Sequence, residues 1–307
     1  MRKPRALQKG DRIAIIAPAS SAASEEIAAG LAELEAFGFQ PQHERSLFDR
    51  GRYTAGSPER RAEALRRAWQ DPDVKGIIAA RGGYGSVQLL PLLDPADFAG
   101  TPKPFIGYSD NTSLLSWLTL HTGIVTFHGP MIEGRFARGP VAYDLDTFER
   151  CLMRAQPMGT ITHQQLTVVR PGRASGMLLG GTMTQLAGSL GTPYAFNPPE
   201  GCVLFFDEVG ERPYRVDRLF TQLAQAGVIA RASGLVFGEM PRCDEPAGTH
   251  AIRDVVGDLT RNFPGPVLFG LPSGHTSGAT LTLPFGVRAS VIADGQPSLV
   301  IEESAVE

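Results

Sequence analysis

Short apolar runs, each cut off by glycine or proline and followed by a helix-like stretch, constrain this chain more than any other feature. Arg12-Ile13-Ala14-Ile15-Ile16-Ala17 is stopped by Pro18, and a run this uniformly apolar suits a strand covered on both faces. A helix follows: Ser24 is a candidate N-cap, Ile27, Leu31, Leu34 and Phe37 recur at helical spacing, and Gly38 can end it. Ser57-Pro58 opens a second helix, cap then proline at the first helical position, running to about Gln70. Val74 to Ala80, Phe105 to Gly107 and Val125 to Phe127 read as further buried strands. This rhythm predicts an α/β fold with an open, mostly parallel sheet, whose ligands lie outside the carboxyl ends of the strands.

Past about residue 155 the texture changes. Gln156-Pro157-Met158-Gly159 is a breaker cluster, Thr160 to Val169 alternates as a strand would, and Pro171-Gly172 follows. Helices near Thr182 to Ser189, Pro213 to Ala226 and His250 to Arg261 then mix with short strands at Val203 to Phe206, Gly234 to Phe237, Thr280 to Leu283 and Ala289 to Ile292. With 307 residues there is room for two modest domains. We therefore expect an N-terminal α/β domain over 1–155, a linker over 156–170 and a C-terminal α+β domain over 171–307.

Several function classes are disfavoured. The net charge of −3 provides no general attraction to phosphate backbones, so nucleic acid is not an expected partner. Every apolar run is shorter than the roughly 18 residues of a membrane-spanning helix, so no membrane association is expected. The basic start, Met1-Arg2-Lys3-Pro4-Arg5, is not followed by the apolar stretch of an export signal. Cys151, Cys202 and Cys243 are odd in number and far apart, which suits a reducing cytoplasm better than a disulfide framework.

Chemistry is then sought in the loops after strands. Arg81-Gly82-Gly83-Tyr84-Gly85 follows the Val74 to Ala80 strand, and its glycines can turn backbone N–H groups toward a ligand; its spacing fits neither dinucleotide- nor triphosphate-binding loops. A plain tight turn is the alternative. Gly107-Tyr108-Ser109-Asp110-Asn111 puts a serine between a short strand and a helix, as in a nucleophile elbow, although Asn111 stands where the last glycine should be. Ser, Asp and Asn are equally the residues of a helix cap.

A serine nucleophile needs a base, and the base an orienting group. His43, His121, His163 and His250 read as structural or solvated, and His128 follows a strand and could line a site. His275 lies in Gly270-Leu271-Pro272-Ser273-Gly274-His275-Thr276-Ser277-Gly278, a small-residue loop with nothing apolar for its ring. The buried run Val203-Leu204-Phe205-Phe206 ends in Asp207-Glu208. These point to opposite sides if the strand continues, so one can meet a histidine while the other pairs with Arg212 or Arg215.

Together, Arg81 to Gly85, Gly107 to Asp110, Phe127-His128-Gly129-Pro130, Asp207-Glu208 and Pro272 to His275, with Gly180-Gly181-Thr182 and Gly188 to Thr192, resemble the successive signatures of the LD-carboxypeptidases. These are serine peptidases that trim murein tetrapeptides. The resemblance runs from Gly10-Asp11 to about residue 293. It implies Ser109 as nucleophile, His275 as base and then acid, Glu208 as the group orienting His275, and the N–H groups of Gly83 and Asp110 as the oxyanion hole. It also implies a flavodoxin- or Rossmann-like N-terminal domain, a C-terminal domain containing a small barrel, a homodimer, and no metal or cofactor. A carboxypeptidase must anchor a free carboxylate, for which a bidentate arginine is suited; Arg81, Tyr84, Arg212 and Arg242 are the candidate substrate contacts. The same family holds immunity hydrolases acting on peptidyl-nucleotide antibiotics, which need an aromatic platform, and a non-catalytic α/β binding protein is the alternative from another class.

Overall fold

A computed structural model describes residues 1–307. The first half alternates strand and helix: β1 (Arg12–Ile16), α1 (Ser24–Phe37), β2 (Gln40–His43), α2 (Pro58–Gln70), β3 (Val74–Ala79), β4 (Phe105–Gly107), α3 (Thr112–Thr122), β5 (Thr126–His128) and α4 (Leu145–Leu152), of which β2 and α4 are additions to the elements expected from sequence. Ser57 caps α2 by accepting from Arg60 N, and Pro58 fills its first position. Gly38 ends α1 in the left-handed conformation that a Cβ disfavours. The N-cap of α1 is Ala23 rather than Ser24, which lies one residue inside the helix.

The strands β2, β1, β3, β4 and β5 pair in parallel in that order, the doubly wound arrangement of flavodoxin-like sheets. Their buried runs explain the pairing: β4 is buried at every residue and β3 at all but Lys75, leaving no polar face for solvent.

The second half supplies β6 (Gly159–Ile161), β7 (Thr167–Arg170), β8 (Arg173–Thr182), α5 (Met183–Gly188), β9 (Cys202–Asp207), α6 (Pro213–Gln225), β10 (Ala232–Gly238), α7 (Ile252–Leu259), β11 (Val267–Leu271), β12 (Leu283–Phe285), β13 (Arg288–Ile292) and β14 (Ser298–Ile301). Eight of these strands form a second, mixed sheet in the order β6-β14-β13-β8-β9-β10-β11-β7, with β8 to β11 parallel. Two expectations are corrected here. The stretch 156–170 is no linker, because β6 pairs with β14 and β7 with β11. The second sheet is also open, with no pairing between its edge strands β6 and β7, so there is no closed barrel.

The two halves are interlocked rather than strung together. The strand β12 leaves the second half and pairs antiparallel with β5, Leu283 opposite His128, as the sixth strand of the first sheet. The loop from Pro272 to Thr282 therefore crosses from the end of β11 to the first sheet. At the other crossing, Thr182 N donates to Thr112 Oγ1 at 3.0 Å. Glycine is required there: a Cβ on Gly180 would lie 1.9 Å from the Phe205 carbonyl oxygen, and one on Gly181 would lie 2.6 Å from the Thr112 side chain. One continuous apolar core of 85 buried residues runs through both sheets. No helix is long and apolar enough to cross a membrane.

The Gly180 contact is with backbone, which cannot swing aside. Gly180→Ala should lose about 1–3 kcal/mol or more of stability in urea unfolding. Gly100→Ala, with open space around its Cβ, should stay within about 0.5 kcal/mol of the parent.

Candidate active site

Ser109 follows β4 and adopts φ 61°, one of three non-glycine residues with positive φ. That conformation costs a residue with a Cβ roughly 1–2 kcal/mol and persists only where the surroundings enforce it. The enforcement is local. A Cβ on Gly82 would sit 2.7 Å from Ser109 Cβ, and one on Gly107 would sit 3.1 Å from Asn111 Cβ. Asn111, in place of the elbow's usual glycine, donates through Nδ2 to the Arg81 and Tyr108 carbonyls at 3.1 and 3.3 Å. It thereby ties the serine turn to the glycine loop.

His275 Nε2 lies 3.2 Å from Ser109 Oγ. Its Nδ1 lies 2.7 Å from Asp207 Oδ2, and its backbone N–H reaches both oxygens of Asp207 at 3.3 Å. Asp207 is wholly buried. The group that orients His275 is therefore Asp207 and not Glu208, which corrects the expectation drawn from the resemblance. The reason is strand alternation at the end of β9: Asp207 faces the histidine loop and Glu208 faces the first turn of α5. There Glu208 accepts from Thr184 N at 2.7 Å and Thr184 Oγ1 at 2.5 Å, and from Val209 N at 3.1 Å.

These carboxylates act on His275. Burial disfavours a charged His275, but the charge and hydrogen bond of Asp207, with the charge of Glu208 behind it, outweigh burial and raise the imidazole above its ordinary 6.5. Burial raises Glu208 as well, against the lowering effect of its Thr184 and Val209 bonds. His128 is buried with Nδ1 3.0 Å from Ser273 Oγ, and burial pushes it down to about 4, so it is neutral at pH 7. It supports the loop: a Cβ on Gly274, whose φ is +78°, would lie 2.6 Å from His128 Cε1 and 2.5 Å from Asp207 Oδ2.

The glycine loop is pinned on Ser20 and leaves Gly83 N among its unused donors. Gly82 O accepts from Ser20 N at 3.2 Å, and Tyr84 N donates to Ser20 Oγ at 3.1 Å, while Gly83 N between them makes no backbone hydrogen bond. A Cβ on Gly83, at φ +103°, would strike Ser20 Oγ. The Asp110 carboxylate is fixed by Ser86 N at 2.7 Å. Buried Arg61 holds the loop from beneath, donating to the Pro18 and Gly85 carbonyls.

Of the candidate substrate contacts, Arg81 pairs with Glu133 at 2.7 Å and Arg212 with Glu245. Arg242 makes no side-chain hydrogen bond or ion pair and is exposed, with φ 60°, on the loop following β10. Tyr84 is half exposed and meets Tyr53 edge to face at 6.0 Å. His43 and His250 are exposed, His163 is half-buried, and His121 stacks on Trp117. Asp207 and Ser20 are the residues that sequence reasoning left without their roles; the alternation at 207–208 was the signal for the first. A cavity of about 560 Å³ lies between β1, β2 and α2 and includes neither Ser109, Asp207 nor His275.

A serine, a histidine and an aspartate in hydrogen-bonded sequence, beside a glycine loop with a free N–H, form a constellation suited to acyl transfer. Residues 13–129 match the LD-carboxypeptidase N-terminal domain and residues 175–291 the LD-carboxypeptidase C-terminal domain. The probable murein peptide carboxypeptidase of Bacillus subtilis is 30% identical, covering 99% of this chain and 96% of its own. The murein tetrapeptide carboxypeptidase of Pseudomonas aeruginosa is 34% identical, covering 86% and 88%. The chain belongs to the LD-carboxypeptidase family. Among solved structures, a muramoyltetrapeptide carboxypeptidase from Oxalobacter formigenes superposes with a TM-score of 0.84 at 31% identity over 95% of this chain and 99% of the other. The microcin C7 self-immunity protein superposes with a TM-score of 0.92 at 25% identity over the whole of both chains.

In an NMR titration the His275 ring should ionise above 6.5, consistent with its raised affinity for a proton. Replacing Asp207 by Asn removes the attracting charge and leaves burial dominant, so the midpoint should fall below that of the parent; an unmoved midpoint would count against Asp207 as its partner.

Proposed function

We propose that this protein is a serine carboxypeptidase that releases terminal D-alanine from murein tetrapeptides, cutting after the L-centre of diaminopimelate or lysine. The observation that carries this reading is the Ser109–His275–Asp207 chain, at 3.2 and 2.7 Å, in a member of the LD-carboxypeptidase family. Relatives named for murein peptides support the choice of substrate.

In the mechanism, Ser109 Oγ attacks the scissile carbonyl as its proton passes to His275 Nε2. Asp207 keeps Nδ1 protonated and stabilises the imidazolium that forms. Charge on the carbonyl oxygen settles on the N–H groups of Gly83 and Asp110. The intermediate collapses, His275 gives its proton to the departing amine, and D-alanine leaves. Water, activated by the same histidine, then frees the tripeptide from Ser109. Arg242, unpaired where Arg81 and Arg212 each hold a glutamate, is our choice to receive the terminal carboxylate.

The role is murein peptide recycling in the cytoplasm, in a homodimer. A second reading is peptidyl-nucleotide hydrolysis, favoured by the whole-chain likeness to the microcin C7 self-immunity protein. Trp69 and Trp117 are buried beside Phe98 and cannot serve as a base platform, which leaves the exposed Tyr53 and Tyr84 pair.

D-Alanine release from murein tetrapeptide separates the readings. Wild-type release should fall by roughly 10³-fold or more in Ser109→Ala and by about 10²–10⁴ in Asp207→Asn. Glu208→Gln should retain more activity than Asp207→Asn. Since the base must be neutral, kcat/KM should decline as pH drops through the raised His275 value. Release that survives Ser109→Ala rejects the mechanism; cleavage of a peptidyl-nucleotide alone selects the second reading.

A further inference from the structure

His275 belongs to a loop of the second half, yet it must meet a serine carried by the first. On its own side the loop is held by Asp207 and by Glu239, which accepts from Ser277 N at 3.1 Å. The opposing grip comes from Arg135, in the turn after β5. Arg135 is 8% exposed and its guanidinium makes five hydrogen bonds. Nε donates to Tyr108 Oη at 3.3 Å, Nη1 to the Ala142 and Gly278 carbonyls at 3.2 and 2.9 Å, and Nη2 to the Gly274 and Thr276 carbonyls at 2.8 and 3.4 Å.

A guanidinium offers five N–H donors, so each nitrogen position of Arg135 is used. Three of the acceptors bracket His275 in sequence, and a fourth, Tyr108, precedes the nucleophile and packs its ring against the His275 ring at 5.2 Å. None of the five acceptors is a carboxylate, although a buried cation ordinarily takes one. We propose that Arg135 is a positioning residue for the proposed serine mechanism, locking the His275 loop onto the Ser109 turn so that Nε2 and Oγ stay in register for proton transfer.

Its charge has a second effect. The charged and titratable groups around His275 are Asp207 and Glu208 at the end of β9, Glu239 after β10, His128 of β5, Tyr108 of the serine turn, and Arg135. Arg135 opposes protonation of His275, while Asp207 and Glu208 favour it.

The inference rests on the serine reading, so its test includes a readout that does not need turnover. In the full-length protein, Arg135→Lys keeps a cation but cannot span the loop, and Arg135→Gln removes both. Both should lower kcat for D-alanine release by about 10- to 100-fold with KM changed less than about threefold, as expected of a displaced base. The NMR titration of His275 should move to higher pH in Arg135→Gln and stay near wild type in Arg135→Lys. Tyr108→Phe, which removes one acceptor, is the milder variant should Arg135→Gln fail to fold, and it should lower kcat without moving KM. A folded Arg135→Lys or Tyr108→Phe with wild-type kcat overturns the proposal, as does an unmoved His275 midpoint in folded Arg135→Gln. If the wild type releases no D-alanine, the carboxypeptidase reading fails separately.

Discussion

The contact between Asp207 and His275 is the interaction around which the two halves of the molecule are arranged. A carboxylate with no exposed surface is tolerable only when donors surround it. Asp207 obtains them from the backbone N–H and the ring of His275, with Thr182 Oγ1 at 3.5 Å. All three depend on the chain crossing between sheets: Thr182 ends β8 where it meets α3, and the histidine loop leaves β11 to return as β12. Loss of the imidazole would leave a buried charge short of partners, so this contact fixes the loop as well as the ring.

Close backbone approach is what lets so many polar groups converge. Gly82 and Gly107 leave space for the strained serine turn, and Gly274 for the contact of Asp207 with the histidine loop. Side chains at these positions would push apart groups that must hydrogen-bond at about 3 Å. The strain at Ser109 is held by neighbours with little freedom: Asn111 is tied to the glycine loop and Asp110 to Ser86. The cost of that geometry is met by the rigid elements on either side, which is where a reactive hydroxyl is best placed.

Most of the parallel sheet of the first half is legible in sequence because β1, β3, β4 and β5 fall on local apolar runs, whereas the polar Gln40–His43 of β2 carries no such signal. Ser109 and His275 were legible for the same reason, each a polar residue in a small-residue loop after a strand. What escaped depends on distant pairing. Gly159–Ile161 and Thr167–Arg170 resemble a linker until β14 and β11 pair with them, and Leu283–Phe285 belongs to the first sheet only because β5 lies alongside. Alternation showed that Asp207 and Glu208 diverge, but not which way. That choice is fixed by the register of β9 between β8 and β10, and by the carboxylate's position beside Gly238 and Gly274. Arg135 is harder still, since an arginine in a loop looks the same in sequence whether it meets solvent or five acceptors.

Two buried arginines, Arg61 and Arg135, hold the loops of the site through neutral acceptors rather than carboxylates. The choice has an electrostatic consequence. Asp207 and Glu208 both draw a proton toward His275. A third carboxylate, placed to neutralise Arg135, would add to that pull and leave less of the imidazole in the neutral form a base requires. Carbonyl oxygens satisfy the guanidinium's donors while leaving its charge uncancelled, so the group that anchors the histidine loop also offsets the acids behind it. Loop geometry and base strength are therefore set by the same side chain, and a neutral substitute could at best restore the first.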